Sequence, residues 1–140
     1  MHLIAENTQK QLKFNFGTIK TRDVKEAITL GACINAENLD AKAILVFSKT
    51  GKLLSLVTKR RPNVDIFVFT DSNNIKRKML IHWGAFPFST NFTGNFDAMA
   101  KNAIKLLKGK KFLASGEKVI IVSDVNPKKN VDVLEIREIE

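Results

Sequence analysis

The sequence predicts an α/β fold, a three-layer α/β/α sandwich around a mostly parallel sheet, on three observations. The runs Ala43 to Phe47, Ile66 to Phe69 and Val119 to Val122 are apolar at every position, which suits strands only when both faces are covered. Between them lie segments whose apolar residues recur at helical spacing, most clearly Phe96, Met99, Ala100, Ala103, Ile104 and Leu107. Strands that alternate with helices pack as a sheet with helices on both sides.

The elements follow in order. A polar helix around residues 1 to 12 and an irregular joint, Phe14 to Ile19, make a leading segment over 1–20, and one α/β domain over 21–140 follows. Asp23 with Glu26 is a capping-box pair, and Val24, Ala27, Ile28, Gly31 and Ala32 form one apolar helical face that ends near Leu39-Asp40. The strand Ala43 to Phe47 comes next, then a helix from about Gly51 to Arg60, stopped by Pro62 ahead of the strand Ile66 to Phe69. Asp71-Ser72 caps a helix through Ile81, and Pro87 puts the short strand Ala85 to Phe88 at a sheet edge. The Phe96 to Leu107 helix has Gly109 where a C-terminal cap belongs. After the strand Val119 to Val122, Val131 to Arg137 mostly alternates, as an exposed edge strand should.

At 140 residues the chain is one ordinary domain, able to bury roughly two thirds of its unfolded surface without disulfides or metal. Its single cysteine, Cys33, sits among Ile28, Ala32 and Ile34 as a small core residue, which implies a reducing, cytoplasmic setting. No apolar run approaches a membrane span, and the first residues lack the regions of a signal peptide. The formal charge of +9 attracts anions of any kind. Its lysines and arginines, however, cluster at helix ends, and no stacking signature, finger spacing or helix-turn-helix pattern points to nucleic acid.

Ser48-Lys49-Thr50-Gly51-Lys52 lies where a strand stops and a helix starts. Such a turn aims backbone N–H groups and the positive end of a helix dipole at one spot, which suits a phosphate, and equally suits plain Ser/Thr capping. A Walker A loop is excluded, since Val46 stands where its first Gly belongs and Leu53 where its magnesium-binding hydroxyl belongs. In a parallel sheet this turn shares the ligand-binding edge with Thr70-Asp71-Ser72-Asn73 and with Ser123 to Lys129. Catalytic constellations mostly fail, and the one left open is a hydrolytic pair of Asp71 and Asp124 at the strand ends. His2 and His82 have no nucleophile or metal-ligand partner at a useful spacing, a helix cap and a turn residue account for Asp71 and Asp124, and no GxGxxG is present.

The order of motifs resembles the C-terminal domain of pyruvate kinase. The likeness rests on Glu26-Ala27-Ile28 to Ala32-Cys33, on Leu39 to Phe47 leading into Ser48-Lys49-Thr50-Gly51, on Arg61-Pro62, Ile66, Val68, Thr70 and Asn73, and on Arg77, Leu80 and Gly84-Ala85-Phe86-Pro87. Met1 to Glu6 resemble the helix that leaves the family's catalytic barrel. The likeness is most specific over residues 26 to 87 and looser after 110. It implies a five-stranded mixed sheet with the last strand antiparallel, contacts that build a homo-oligomer, the catalytic barrel of the same parent chain as partner, and an allosteric site for a phosphorylated effector. By position the effector's phosphate falls to Ser48, Lys49, Thr50, Gly51 and Lys52, and a later effector loop to Asn126, Lys128 and Lys129. Leu53 replaces a hydroxyl of the family's loop, and residues 126 to 132 lack its glycines, so the identity of the effector stays open. Magnesium and potassium belong to the family's barrel, which implies no cofactor and no catalysis for this domain alone. Two readings remain: the regulatory and oligomerisation domain of a pyruvate kinase, or a free-standing protein of this fold that binds a phosphorylated metabolite.

Overall fold

A computed structural model describes residues 23–49, 51–71, 77, 85–92, 95–125 and 132–140. The elements are α1 (Val24–Asn38), β1 (Ala43–Phe47), α2 (Lys52–Lys59), β2 (Asp65–Thr70), β3 (Ala85–Ser89), α3 (Phe96–Gly109), β4 (Lys118–Ser123) and β5 (Val133–Glu138). The five strands form one sheet in the order β3-β2-β1-β4-β5. All neighbours are parallel except β4 and β5, which are antiparallel. The expected helices over 1 to 12 and 71 to 81, and the joint between Phe14 and Ile19, fall wholly or largely outside the described residues.

Alternation along the central strands divides the core between two faces. Ile44, Val46, Ile66, Val68, Ile120 and Val122 meet Ala32, Cys33 and Ala36 of α1 and Leu53, Leu54 and Val57 of α2. On the opposite face Ala43, Leu45, Phe47, Phe67, Phe69 and Ile121 meet Met99, Ala100, Ala103 and Leu107 of α3. This is the three-layer sandwich. Every residue of β1 is buried because helices cover both of its faces. Phe47 stacks on Phe69 at 5.0 Å and Phe69 on Phe88 at 5.5 Å, tying three adjacent strands together on the α3 face. The edge position of β3 accommodates Pro87, which has no N–H to donate.

Two local expectations are corrected. In α1 the predicted face is rotated: Val24 is 63% exposed and Ala27 is exposed, whereas Thr29, Leu30, Ala32, Cys33 and Ala36 are buried. A face read from apolar residues alone passes over Thr29, whose hydroxyl donates to the Glu26 carbonyl at 3.0 Å and so is buried with its polar group satisfied. In α3, Gly109 remains helical and the left-handed residue is Lys111, with φ of 66°. The Lys111 N–H donates to the Lys108 carbonyl and the Phe112 N–H to the Leu107 carbonyl, which is a Schellman closure two residues later than the glycine suggests. Asp40 and Arg61, with φ of 50° and 48°, hold the corresponding position after α1 and α2. All three helices given ranges here thus end on a non-glycine left-handed residue.

The start of α1 follows expectation, with the Asp23 side chain accepting from the Glu26 N–H at 2.8 Å.

Candidate functional site

The strand order fixes where a ligand can enter. The chain steps outward from β1 to β2 and β3, then returns to place β4 on the other side of β1. The carboxyl ends of β1 and β4 therefore flank the point where the strand order reverses, the usual ligand crevice of an open α/β sheet. Ser48 follows β1 there, and Asp124 follows β4.

The local geometry of the β1–α2 turn comes from Gly51. Its φ of 84° lies in the left-handed region, and it is the N-cap of α2 without a side-chain cap bond. Ordinary Ser/Thr capping is thus not what happens at α2. Instead Ser48, fully buried, accepts from the Gly51 N–H through its Oγ at 3.0 Å. One of the turn's N–H groups is satisfied internally, and Ser48 holds the turn closed. Lys49 is exposed and has no partner among the described residues. Lys52 is exposed, with its Nζ 3.9 Å from Asp23 Oδ2. Thr50, Asn126, Lys128 and Lys129 lie outside the described residues.

Convergence of the three strand-end turns is visible in the backbone. The Ser48 N–H donates to the Phe69 carbonyl and the Asp124 N–H to the Phe47 carbonyl, both at 3.2 Å, so the ends of β2, β1 and β4 lie side by side. Ser48, Thr70 and Ser123 are all buried. Asp71 follows β2 while Asp124 follows β4, two strand spacings away across β1, or about 9.6 Å.

Sequence reasoning missed the ionic partners of the crevice. Lys25, the second residue of α1, places its Nζ 2.9 Å from Asp124 Oδ2. Burial alone would lower the Lys25 pKa, but the hydrogen bond and charge of Asp124, helped by Asp132 and Asp23, outweigh it and hold the ammonium above its ordinary value. These residues are 99 positions apart, and no local pattern announces such a pair. The Lys52–Asp23 approach shows that α1 and α2 start side by side, so the positive ends of two helix dipoles meet at this edge.

Two clefts lie away from the turn. One of about 560 Å³ is at the opposite, amino end of the strands, with Asp40, Asp65 and Glu117 among its walls. The other, about 590 Å³, runs between α3 and β5 beside Lys101, Lys105, Lys108 and Arg137. Arg137 there is bound to Asp97 and Glu135. Among the described residues no group of three or more His, Cys, Asp or Glu could hold a metal ion, and no helix is long and apolar enough to cross a membrane.

The fold and this edge define an α/β domain with a polar strand-to-helix turn at its topological switch point. The family model described as "Pyruvate kinase, alpha/beta domain" matches residues 26–137. The chain belongs to that family. It is 32% identical over 102 residues to pyruvate kinase isozyme A, chloroplastic, of Nicotiana tabacum, covering 73% of this chain and 17% of that protein. It is 29% identical over 130 residues to pyruvate kinase of Lactococcus lactis, covering 89% of this chain and 26% of that protein. Pyruvate kinase of Cryptosporidium parvum in complex with ADP superposes with a TM-score of 0.80 at 26% identity, over 88% of this chain and 25% of that one. The chain thus spans about a quarter or less of these three relatives.

Proposed function

We propose that this chain serves as the regulatory and assembly domain of a pyruvate kinase whose catalytic barrel transfers phosphate from phosphoenolpyruvate to ADP in the cytoplasm. On this reading the barrel is the domain's partner within the parent chain and holds the magnesium and potassium, while the domain carries no cofactor and no catalytic group of its own. The domain binds a phosphorylated small molecule at the β1–α2 turn through Ser48, Lys49, Thr50, Gly51 and Lys52, with Asn126, Lys128 and Lys129 closing over it. The single observation that supports the site best is its position. The turn sits at the topological switch point, with the left-handed Gly51 opening α2 and Lys49 unpaired among the described residues.

Assembly draws support from the surface shared by α1 and β5. Val24, Leu134 and Ile136 are 63%, 37% and 45% exposed. Leu134 reaches over α1, with its Cδ2 3.2 Å from where a Cβ on Gly31 would stand. β5 is also an edge strand, whose outer hydrogen-bonding groups can pair with a second copy.

A panel of phosphorylated sugars and nucleotides, screened by thermal shift on the 140-residue chain, tests the site. A ligand present at one hundred times its Kd stabilises by roughly 2.7 kcal/mol. The shift should shrink in a Lys49→Ala, Thr50→Ala variant. No shift with any phosphate compound would remove the effector site.

A further inference from the structure

The cleft of about 590 Å³ between α3 and β5 includes no residue of the strand-end turn. Small-molecule sites hold roughly 300 to 1,000 Å³, so the space suits a ligand. β5 is the edge of the sheet, and among the described residues no further strand fills the angle between it and α3. The α3 wall is made by Lys101, Ile104, Lys105 and Lys108, whose spacing puts them on one helical face. A lysine-lined wall offers aliphatic stems below and a cationic rim above. Half-buried Ile104 and buried Ile139 extend its apolar part.

The rim is only partly used within the protein. Lys101 Nζ stands 3.1 Å from Asp97 Oδ2, and Arg137 is bound to Asp97 and Glu135. Lys108, however, gives one of its three ammonium hydrogens to the Glu140 backbone oxygen, and Lys105 has no partner among the described residues. Lys105 also has like charges three and four residues away, in Lys108 and Lys101, an arrangement that weakens a helix and that a bound anion offsets. Glu138 and Glu140 line the same cleft, with no ion pair to either lysine among the described residues. They set a limit on how much negative charge a ligand can bring.

We propose that this cleft binds an amphipathic monocarboxylate, with its carboxylate on Lys105 and Lys108 and its apolar body along the lysine stems and Ile104. A single negative charge fits the rim, whereas a polyanion would be repelled by Glu138 and Glu140. The apolar body is needed because Lys105 and Lys108 are exposed, and an exposed ion pair contributes little by itself. Apolar area removed from water along the wall supplies the larger share of the affinity.

The test is calorimetric titration of the full chain with decanoate, butanoate and decyltrimethylammonium, each kept monomeric below its micelle concentration. Decanoate should bind at least about tenfold more tightly than butanoate, because its longer chain buries more apolar surface. The decyl cation, equal in chain and opposite in charge, should bind at least about tenfold more weakly than decanoate. Lys105→Gln with Lys108→Gln keeps most of each stem, removes both charges, and should weaken decanoate about tenfold. Lys59→Gln with Lys110→Gln, exposed lysines outside the cleft, changes the net charge equally and should alter affinity by less than about twofold. In the unsubstituted chain, no binding of decanoate, or equal binding of decanoate and the cation, overturns the proposal. Decanoate affinity that survives Lys105→Gln with Lys108→Gln, or that falls equally in both double variants, overturns the site. None of these outcomes bears on phosphate at the strand-end turn, so the two readings stand or fall separately.

Discussion

Lys111 shows how far one residue's backbone can depart from what its side chain prefers. It closes the Schellman turn of α3 at φ of 66°, a conformation that costs a residue with a Cβ about 1 to 2 kcal/mol. Lys111 is exposed, so its side chain adds little packing to offset that cost. Lys111→Gly should therefore stabilise the domain by about 1 kcal/mol, net of the extra freedom glycine gives the unfolded chain. Chemical denaturation with an unchanged m-value would register it, and a loss of stability would contradict the cap assignment. Cys33 is the opposite case, since its type already announced its place in the core. Burial, with a smaller contribution from Glu37, raises its thiol from 9.0 to about 11, against a lowering by Arg60. The folded state holds that proton more tightly than the unfolded state. The resulting stability is present below pH 9 and drains away as pH rises from 9 to about 11. Cys33→Ala should flatten stability against pH over that window relative to the unsubstituted chain, and in the folded protein at neutral pH the thiol should resist alkylation.

At the level of elements, the β1–α2 turn is held closed by Ser48. As a sequence feature, Ser48 offers a hydroxyl to a phosphate. In the fold it is buried and accepts the Gly51 N–H, closing the turn on itself. Ser48→Ala should therefore lower stability by about 1 kcal/mol without any ligand, measurable as a reduced denaturation midpoint. A stability change confined to ligand-loaded protein would instead make Ser48 a binding residue alone. The strands were legible for a plain reason. Ala43 to Phe47 of β1, Ile66 to Phe69 of β2 and Val119 to Val122 of β4 are apolar because two faces need covering, and that requirement is written into each of those positions. The α1 face was less legible, because its buried stripe includes Thr29 and its exposed side carries Val24, so hydrophobicity alone misplaces the face.

For the molecule as a whole, the exposed apolar strip on α1 and β5 joins the edge strand to a helix in a single surface. In the proposed assembly it is covered by a second copy. Sedimentation of the 140-residue chain should show dimers or larger species, and Ile136→Glu should shift them toward monomer by placing a charge where an apolar contact is needed. Ile136 is 45% exposed, so the substitution should change folding stability by less than about 1 kcal/mol. A strict monomer at high concentration would remove this surface from the assembly. The sequence alone determined the layers, the buried strands and the turn at Ser48 to Lys52, because burial, helical period and turn chemistry act over a few residues, whereas the antiparallel edge followed only from the family likeness. Only the tertiary structure decided which charges stand around that turn. Lys25 and Asp124 meet across 99 positions because the strand order sets β4 beside β1, and a contact made by topology leaves no local trace in the chain.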